Sequence, residues 1–207
     1  MSLRKRAYGQ ARELTPLERL GVWLGTRKTR RHAGRLEGKA IGDFGCGFEA
    51  RFARSHLAEA SSVVLADVAL AEDLKAHPKV TALEGGLPGT LAALPSDSLD
   101  LITCISMLEH LWEPERMIDE CHRLLVPGGR LLVSVPTWLD KTALEFVAFR
   151  LHVNPSEVED HKRYYRRRDL WLTLRGAGFL PSHIRCARYK LGLAIFAVAT
   201  AADGGTP

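Results

Sequence analysis

Gly45, Gly47 and Asp67 are the residues of this 207-residue chain whose types and spacing most directly imply chemistry. The glycines lie in Ala40-Ile-Gly-Asp-Phe-Gly-Cys-Gly-Phe-Glu-Ala-Arg-Phe-Ala53, and the acid closes Leu65-Ala-Asp67, 20 residues past Gly47. The pattern reads as a strand ending in a glycine turn, a helix, and a second strand ending in an acid, which is half of a nucleotide-binding βαβ unit. Glycines let the backbone turn sharply and approach a ligand that a Cβ would push away. Asp67 stands where a carboxylate accepts hydrogen bonds from both ribose hydroxyls. Gly45-x-Gly47-x-x-Ala50 also satisfies the dinucleotide fingerprint, so the rest of the chain must decide against NAD(P). A further polar group ends the run Ser98 to His110. A histidine of near-neutral pKa at that point can take a proton from a hydroxyl, or it can cap the neighbouring helix.

The elements that must position these residues follow from periodicity. Thr15-Pro-Leu-Glu18 is a capping box with proline at the first helical position, and Leu17, Leu20, Trp23 and Leu24 then mark an amphipathic helix running into Arg27-Lys-Thr-Arg-Arg31. Strands are expected over 39–44, 63–66, 80–83, 99–105 and 130–135, the last after Pro127-Gly-Gly129. Helices are expected over 48–60, with Ala50, Ala53 and Leu57 inward, around Asp73, and over 114–125. Beyond the fifth strand, 141–152 is apolar nearly all round and predicts a cover over the strand ends. A helix over 169–177 closed by Gly178 and strands over 183–188 and 193–199 complete the chain. Alternating strands and helices predict an α/β fold: a Rossmann-like three-layer sandwich with a seven-stranded, mostly parallel sheet and an antiparallel C-terminal strand pair.

Taken in order, Asp43-x-Gly45-x-Gly47, Asp67, Ser98-x-Asp100, Leu108-Glu-His110 and Pro127-Gly-Gly129 resemble the class I S-adenosylmethionine-dependent methyltransferases, over roughly residues 38 to 200. The resemblance implies S-adenosylmethionine as cofactor. Gly45, Cys46 and Gly47 would pass beneath its methionine portion, Asp43 would orient its ammonium, Asp67 would take the ribose, and Met107 and Leu108 would line the adenine or methionine side. It implies no metal. His110, at the tip of strand four, would face the transferred methyl as a base. His161 is the second catalytic candidate, because the family places a similar segment beside the acceptor pocket; a solvated loop histidine is the alternative. Trp112, Trp138, Tyr164 and Tyr165 would flank that pocket, and Tyr8 could close over the cofactor. Two departures stand out: Glu49 replaces a common third glycine, and Gly86 stands where an adenine-binding Asp often follows strand three.

The resemblance organises the chain as one domain: a basic helical cap over 1–37, a cofactor-binding core over 38–135, an acceptor-side insertion over 136–165, and a C-terminal helix and strands over 166–207. Four cysteines without metal or C-x-x-C spacing, no apolar leader and no apolar run near the ~20 residues of a membrane span predict a cytoplasmic location. The net charge is +5. Residues 1–39 hold 11 Lys/Arg against 3 acids and 150–190 hold 10 against 4, whereas 40–149 hold 8 against 16. Basic flanks around an acidic core predict an anionic acceptor or a polyanionic surface, with solvated arginine-rich faces as the alternative. The segment after strand five resembles enzymes of bacterial envelope glycan synthesis, which implies a glycan or envelope precursor as one form of acceptor. O-methylation of a small hydroxylated acceptor is expected, because strand four ends in Ser106-Met-Leu-Glu109 and not in the Asn/Asp-Pro-Pro-aromatic tetrapeptide of methyltransferases that act on amines. The alternatives are an NAD(P)-dependent oxidoreductase, for which no Tyr-x-x-x-Lys set follows strand four, and a nucleic-acid-binding protein that keeps the cofactor fold.

Overall fold

Strands β1 (Ala40–Phe44), β2 (Ser62–Asp67), β4 (Leu99–Ile105) and β5 (Leu125–Pro136) are rich in aliphatic residues because they are buried on both faces, as a helix-covered parallel sheet requires. The computed structural model describes residues 7–9, 16–139 and 162–203. With β3 (Val80–Glu84), β6 (Ile184–Tyr189) and β7 (Ala194–Thr200), the strands form one seven-stranded sheet in the order β3-β2-β1-β4-β5-β7-β6. The first five are parallel, and β7 runs antiparallel to both β5 and β6. The expected fold class is therefore the observed one.

Alternate residues of each inner strand serve opposite layers. Leu132 joins Ala33, Phe52, Leu65 and Leu74 beneath α1 (Pro16–Ala33), α2 (Arg51–Arg54) and α3 (Glu72–Lys75). Leu131 and Val133 join Met117, Ile118, Leu170 and Leu174 beneath α4 (Pro114–Leu124) and α5 (Arg167–Gly176). The Arg130 guanidinium donates to the His32 carbonyl at 2.9 Å and to the Ala33 carbonyl, which satisfies the last turn of α1 and ties it to β5.

Two helices differ from the sequence expectation. The helix foreseen over 48–60 is a single turn, because Ala50 sits in the left-handed region at φ 39° and cannot continue a right-handed helix. At its other end Ser55 Oγ and His56 Nδ1 both bond the Phe52 carbonyl, at 2.7 and 2.8 Å, in competition with the backbone ladder. Leu57 is accordingly only partly buried, while Ala50 and Ala53 are fully covered. The second difference is in α1, where Leu20 and Trp23 point into solvent and Thr29 and Ala33 face the sheet. The cover expected over 141–152 lies outside the described residues.

Pro127-Gly-Gly129 forms a bulge rather than a free turn. β5 pairs Leu125 with Leu99 and then Arg130 with Leu101, so five residues of one strand span two of the other. A Cβ on Gly129 would stand 2.7 Å from the Val126 carbonyl oxygen and 3.1 Å from that of Leu99. Both obstacles are backbone and cannot swing away. Gly129→Ala is expected to destabilise the protein by about 1–3 kcal/mol, read as a lower urea midpoint at unchanged slope.

Candidate active site

Asp43 is the last polar residue of β1 and is only 4% exposed. Its Oδ1 accepts the Thr103 hydroxyl of β4 at 2.6 Å, and its Oδ2 accepts the Ala53 N–H of α2 at 3.3 Å. Burial pushes its pKa up to about 6; the two hydrogen bonds oppose that, and the nearby charge of Asp67 adds to it. The carboxyl thus joins β1, β4 and α2, with both oxygens engaged inside the protein.

The glycine loop follows at the carboxyl end of β1. Gly45 donates to the Ala66 carbonyl at 2.7 Å and holds φ +67°, and a Cβ there would collide with the side chain of Met107. Gly47 holds φ +73° and donates to Asp67 Oδ2 at 2.8 Å, while Asp67 Oδ1 accepts the Val68 N–H at 2.7 Å. Asp67 therefore fastens the loop to the end of β2. The Tyr8 carbonyl accepts the Phe48 N–H at 3.0 Å, which lays residues 7–9 against the loop. Burial, then Asp43 and Asp67, push the Cys46 thiol well above its ordinary value, so it stays protonated and unreactive at neutral pH.

Glu49 does not crowd the loop. It is exposed and pairs with Arg54 at 3.1 Å, and the left-handed φ falls on Ala50 instead. Gly86 has open space around it, and Glu84, just before it, accepts the Leu70 N–H at 2.7 Å.

At the tip of β4, Ser106 takes φ 52° and the chain enters a single 3-10 turn, Leu108–His110. Met107 covers Gly45, and His110 is half-buried with its N–H on the Met107 carbonyl at 3.0 Å. Leu108 is wholly buried in the core under α4, so it does not line the open side as expected from its position. The short turn rotates it inward between Met107 and His110. Trp112 is 59% exposed beneath Lys162 Nζ, and Trp138 packs at 5.4 Å on Tyr164. Tyr165 is buried, bridging from Thr137 just past β5. His161 lies outside the described residues. The structure thus brings together Asp43, Gly45, Cys46, Gly47, Asp67 and Met107, with His110 one turn away.

Sequence reasoning missed Thr103 and Ser106. Thr103 was visible only as a polar residue in an apolar strand, and Ser106 carried no signal until its backbone was seen. Among the described residues, no cluster of three His, Cys, Asp or Glu side chains suits a metal ion, and no helix is long and apolar enough to cross a membrane. An open cavity of about 380 Å³ between α5 and β6, lined by Arg167, Arg168 and Trp171, lies at the far edge of the sheet, four strands beyond β1, and is separate from this site.

A glycine loop closed by two carboxylates at the ends of adjacent parallel strands defines a nucleoside-cofactor-binding α/β protein. The charge of the site selects the cofactor. A dinucleotide pyrophosphate needs a free helix N-terminus, but here the helix is one turn long and its third N–H is already bonded to the buried Asp43. Two acids repel an anion and attract a cation, which fits the sulfonium and ammonium of S-adenosylmethionine.

Comparison with known proteins agrees. The methyltransferase-domain family profile matches residues 26–183, and this chain belongs to that family. It is 30% identical over 172 residues to a ubiquinone biosynthesis O-methyltransferase of Paraburkholderia phymatum, covering 75% of this chain and 70% of that one. The corresponding enzyme of Bordetella avium is 28% identical, over 76% and 69%. Among solved structures, a SAM-dependent methyltransferase from Archaeoglobus fulgidus superposes with TM-score 0.63 at 14% identity, covering 84% of this chain and 92% of that one. One from Mesorhizobium loti gives 0.61 at 19%, covering 86% and 96%. The protein is an S-adenosylmethionine-dependent methyltransferase.

The raised pKa of Asp43 makes stability depend on pH in a set direction. The native state holds the proton more tightly than the unfolded chain, so the contribution is fully present below 3.8 and is lost as pH rises to about 6. At ~1.4 kcal/mol per unit this amounts to about 3 kcal/mol. Asp43→Asn removes the ionisation and keeps a hydrogen-bonding group. Urea titrations across that range should show the variant gaining on the parent as pH rises; parallel curves would mean the carboxyl is not desolvated.

Proposed function

We propose that the chain transfers the methyl group of S-adenosylmethionine to an oxygen of a small hydroxylated acceptor, with His110 as the group that takes the hydroxyl proton. The cofactor supplies a methyl on a positively charged sulfur, so the protein contributes alignment and a proton acceptor, not a nucleophile. The observation that carries the reading is the carboxylate-flanked glycine loop with Met107 against Gly45, three residues before His110. In this reading the Asp67 carboxylate, at the end of β2 beside Gly47, accepts from the ribose hydroxyls. Asp43 acts through its field and its bracing of α2, since both its oxygens are engaged. Met107 moves aside from Gly45 to admit the methionine portion.

Oxygen as the methylated atom is supported by the relatives named for ubiquinone biosynthesis. Those names favour a hydroxylated acceptor and lend no support to an anionic or glycan one. The basic flanks therefore need a separate account, particularly as Arg163 is taken up by Glu115 at 2.5 Å.

Asp67→Ala is expected to weaken S-adenosylhomocysteine binding by ~1.5–3 kcal/mol for each hydrogen bond lost, measured by calorimetry. Binding of NADH and not of S-adenosylhomocysteine would overturn the cofactor assignment. His110→Ala is expected to lower turnover by ~10²–10⁴-fold on a small hydroxylated acceptor while leaving S-adenosylhomocysteine affinity nearly unchanged. Equal loss of cofactor binding and of thermal stability would make His110 a helix-capping residue instead.

A further inference from the structure

The first half of α1 turns its most apolar side chains away from the protein. Gly25, Thr29 and Ala33 are buried, Ala33 within the core beneath the sheet, whereas Leu20 is 51% and Trp23 53% exposed, with the partly exposed Leu24 beside them. A helix packed on a sheet ordinarily does the reverse. A second apolar point is Leu191, 99% exposed at the tip of the turn joining β6 to β7. Lys190 and Leu191 hold that tip at φ 50° and 56°, in the left-handed region that residues with a Cβ avoid. Leu139, just past β5, is 53% exposed.

These points are neighbours. A Cβ on Gly25 would lie 3.8 Å from Lys190 Nζ, and one on Gly192 would lie 3.5 Å from Leu139 Cδ2. Because Ala194 of β7 pairs with Pro136 of β5, the 190–192 turn stands at the carboxyl end of β5, the same end of the sheet as the glycine loop.

Its charge is one-sided. From Arg19 to Ala33, α1 contains no acid. Arg27, Arg30 and Arg31 are exposed, and among the described residues none of them is paired with a carboxylate; Arg27 lies 5.4 Å over the Trp23 ring. The same field reaches His32, whose pKa is pushed down by burial first and then by Lys28, Arg31 and Arg130. Phosphates of a nucleic acid would satisfy the arginines but would gain nothing from the leucines. A bilayer interface rewards both, since it receives protruding Leu and Trp without a preformed cavity and holds Arg at its headgroups.

We propose that this face docks on a membrane surface bearing anionic headgroups, with Leu20, Trp23 and Leu191 entering the interface and Arg27, Arg30 and Arg31 on the phosphates. The docking concerns the surface alone and does not depend on which acceptor is methylated. The full chain is to be sedimented with vesicles of phosphatidylcholine alone and of phosphatidylcholine mixed with phosphatidylglycerol. It should follow the mixed vesicles only, and less so as salt is raised. The double variant Trp23→Ser/Leu191→Ser should lower partitioning roughly tenfold or more, at unchanged thermal midpoint and unchanged S-adenosylhomocysteine affinity. The triple variant Arg27→Ala/Arg30→Ala/Arg31→Ala should lower it and flatten the salt dependence. Failure to sediment with anionic vesicles at low salt would overturn the proposal, as would sedimentation that the double variant retains. A homodimer dissociated by the double variant, with no vesicle binding, would assign the face to a second copy, and nucleic-acid binding without vesicle binding would assign it to phosphate contacts alone.

Discussion

The carboxyl of Asp43 is the point through which the rest of the site is held. It lies where β1 ends, and its two oxygens reach the neighbouring strand through Thr103 and the following helix through the Ala53 N–H. The carboxylate oxygen that accepts the Ala53 N–H holds the first turn of α2, and the Gly45–Glu49 loop runs between the end of β1 and that turn. The cost of burying an ionisable group is visible in its raised pKa. A protein that needed only a brace could use a neutral amide there. Retaining the acid places a latent negative charge under the loop, and Asp67 places a second one beside it, bonded to Gly47. The brace and the field come from the same side chain.

The departure at Glu49 shows what the glycine motif specifies. The loop needs positive φ at Gly45 and Gly47 and again at the entry to α2, and the chain supplies the last at Ala50. Glu49 then lies on the outer side of the turn with its carboxylate on Arg54, and Arg54 also holds Asp73 of α3. A bulky residue in the third position is thus compatible with the same backbone path, because the strained position has moved by one residue. Alanine can adopt the left-handed conformation at modest cost, where a β-branched residue could not.

The readable parts of the sequence were those in which composition and burial agree. β4 runs over Leu99–Ile105 as its apolar pattern predicts, and the parallel part of the sheet follows from strands alternating with helices. The glycine loop and Asp67 meet because a βαβ unit has few ways to close. What the sequence did not reveal depended on single dihedrals and on partners far along the chain. The one-turn length of α2 turns on Ala50, the inward rotation of Leu108 on a three-residue 3-10 turn, and the role of Thr103 on a contact 60 residues away. The stripe of α1 was legible as amphipathic, but periodicity gives two faces without saying which one meets the sheet. The small residues Gly25, Thr29 and Ala33 settle that, since they allow close approach.

On the functional reading proposed above, the same electrostatics bears on both ends of the catalytic cycle. S-adenosylmethionine would bring a positive sulfur and a positive ammonium to a site with two carboxylates, of which Asp43 has its pKa raised first by burial and further by the charge of Asp67. A cation placed there relieves the repulsion between them, so binding is strengthened by a penalty the free protein carries. Transfer of the methyl removes the charge on sulfur and leaves a neutral thioether, while the carboxylates remain. The attraction that helped to load the cofactor is therefore weaker for the product. The arrangement discriminates between the two by charge alone, without a change of shape, and the raised pKa of Asp43 sets how far that discrimination reaches toward acid pH. Below about 6 the acid is neutral in the free protein, and the site loses one of the two charges on which the difference rests.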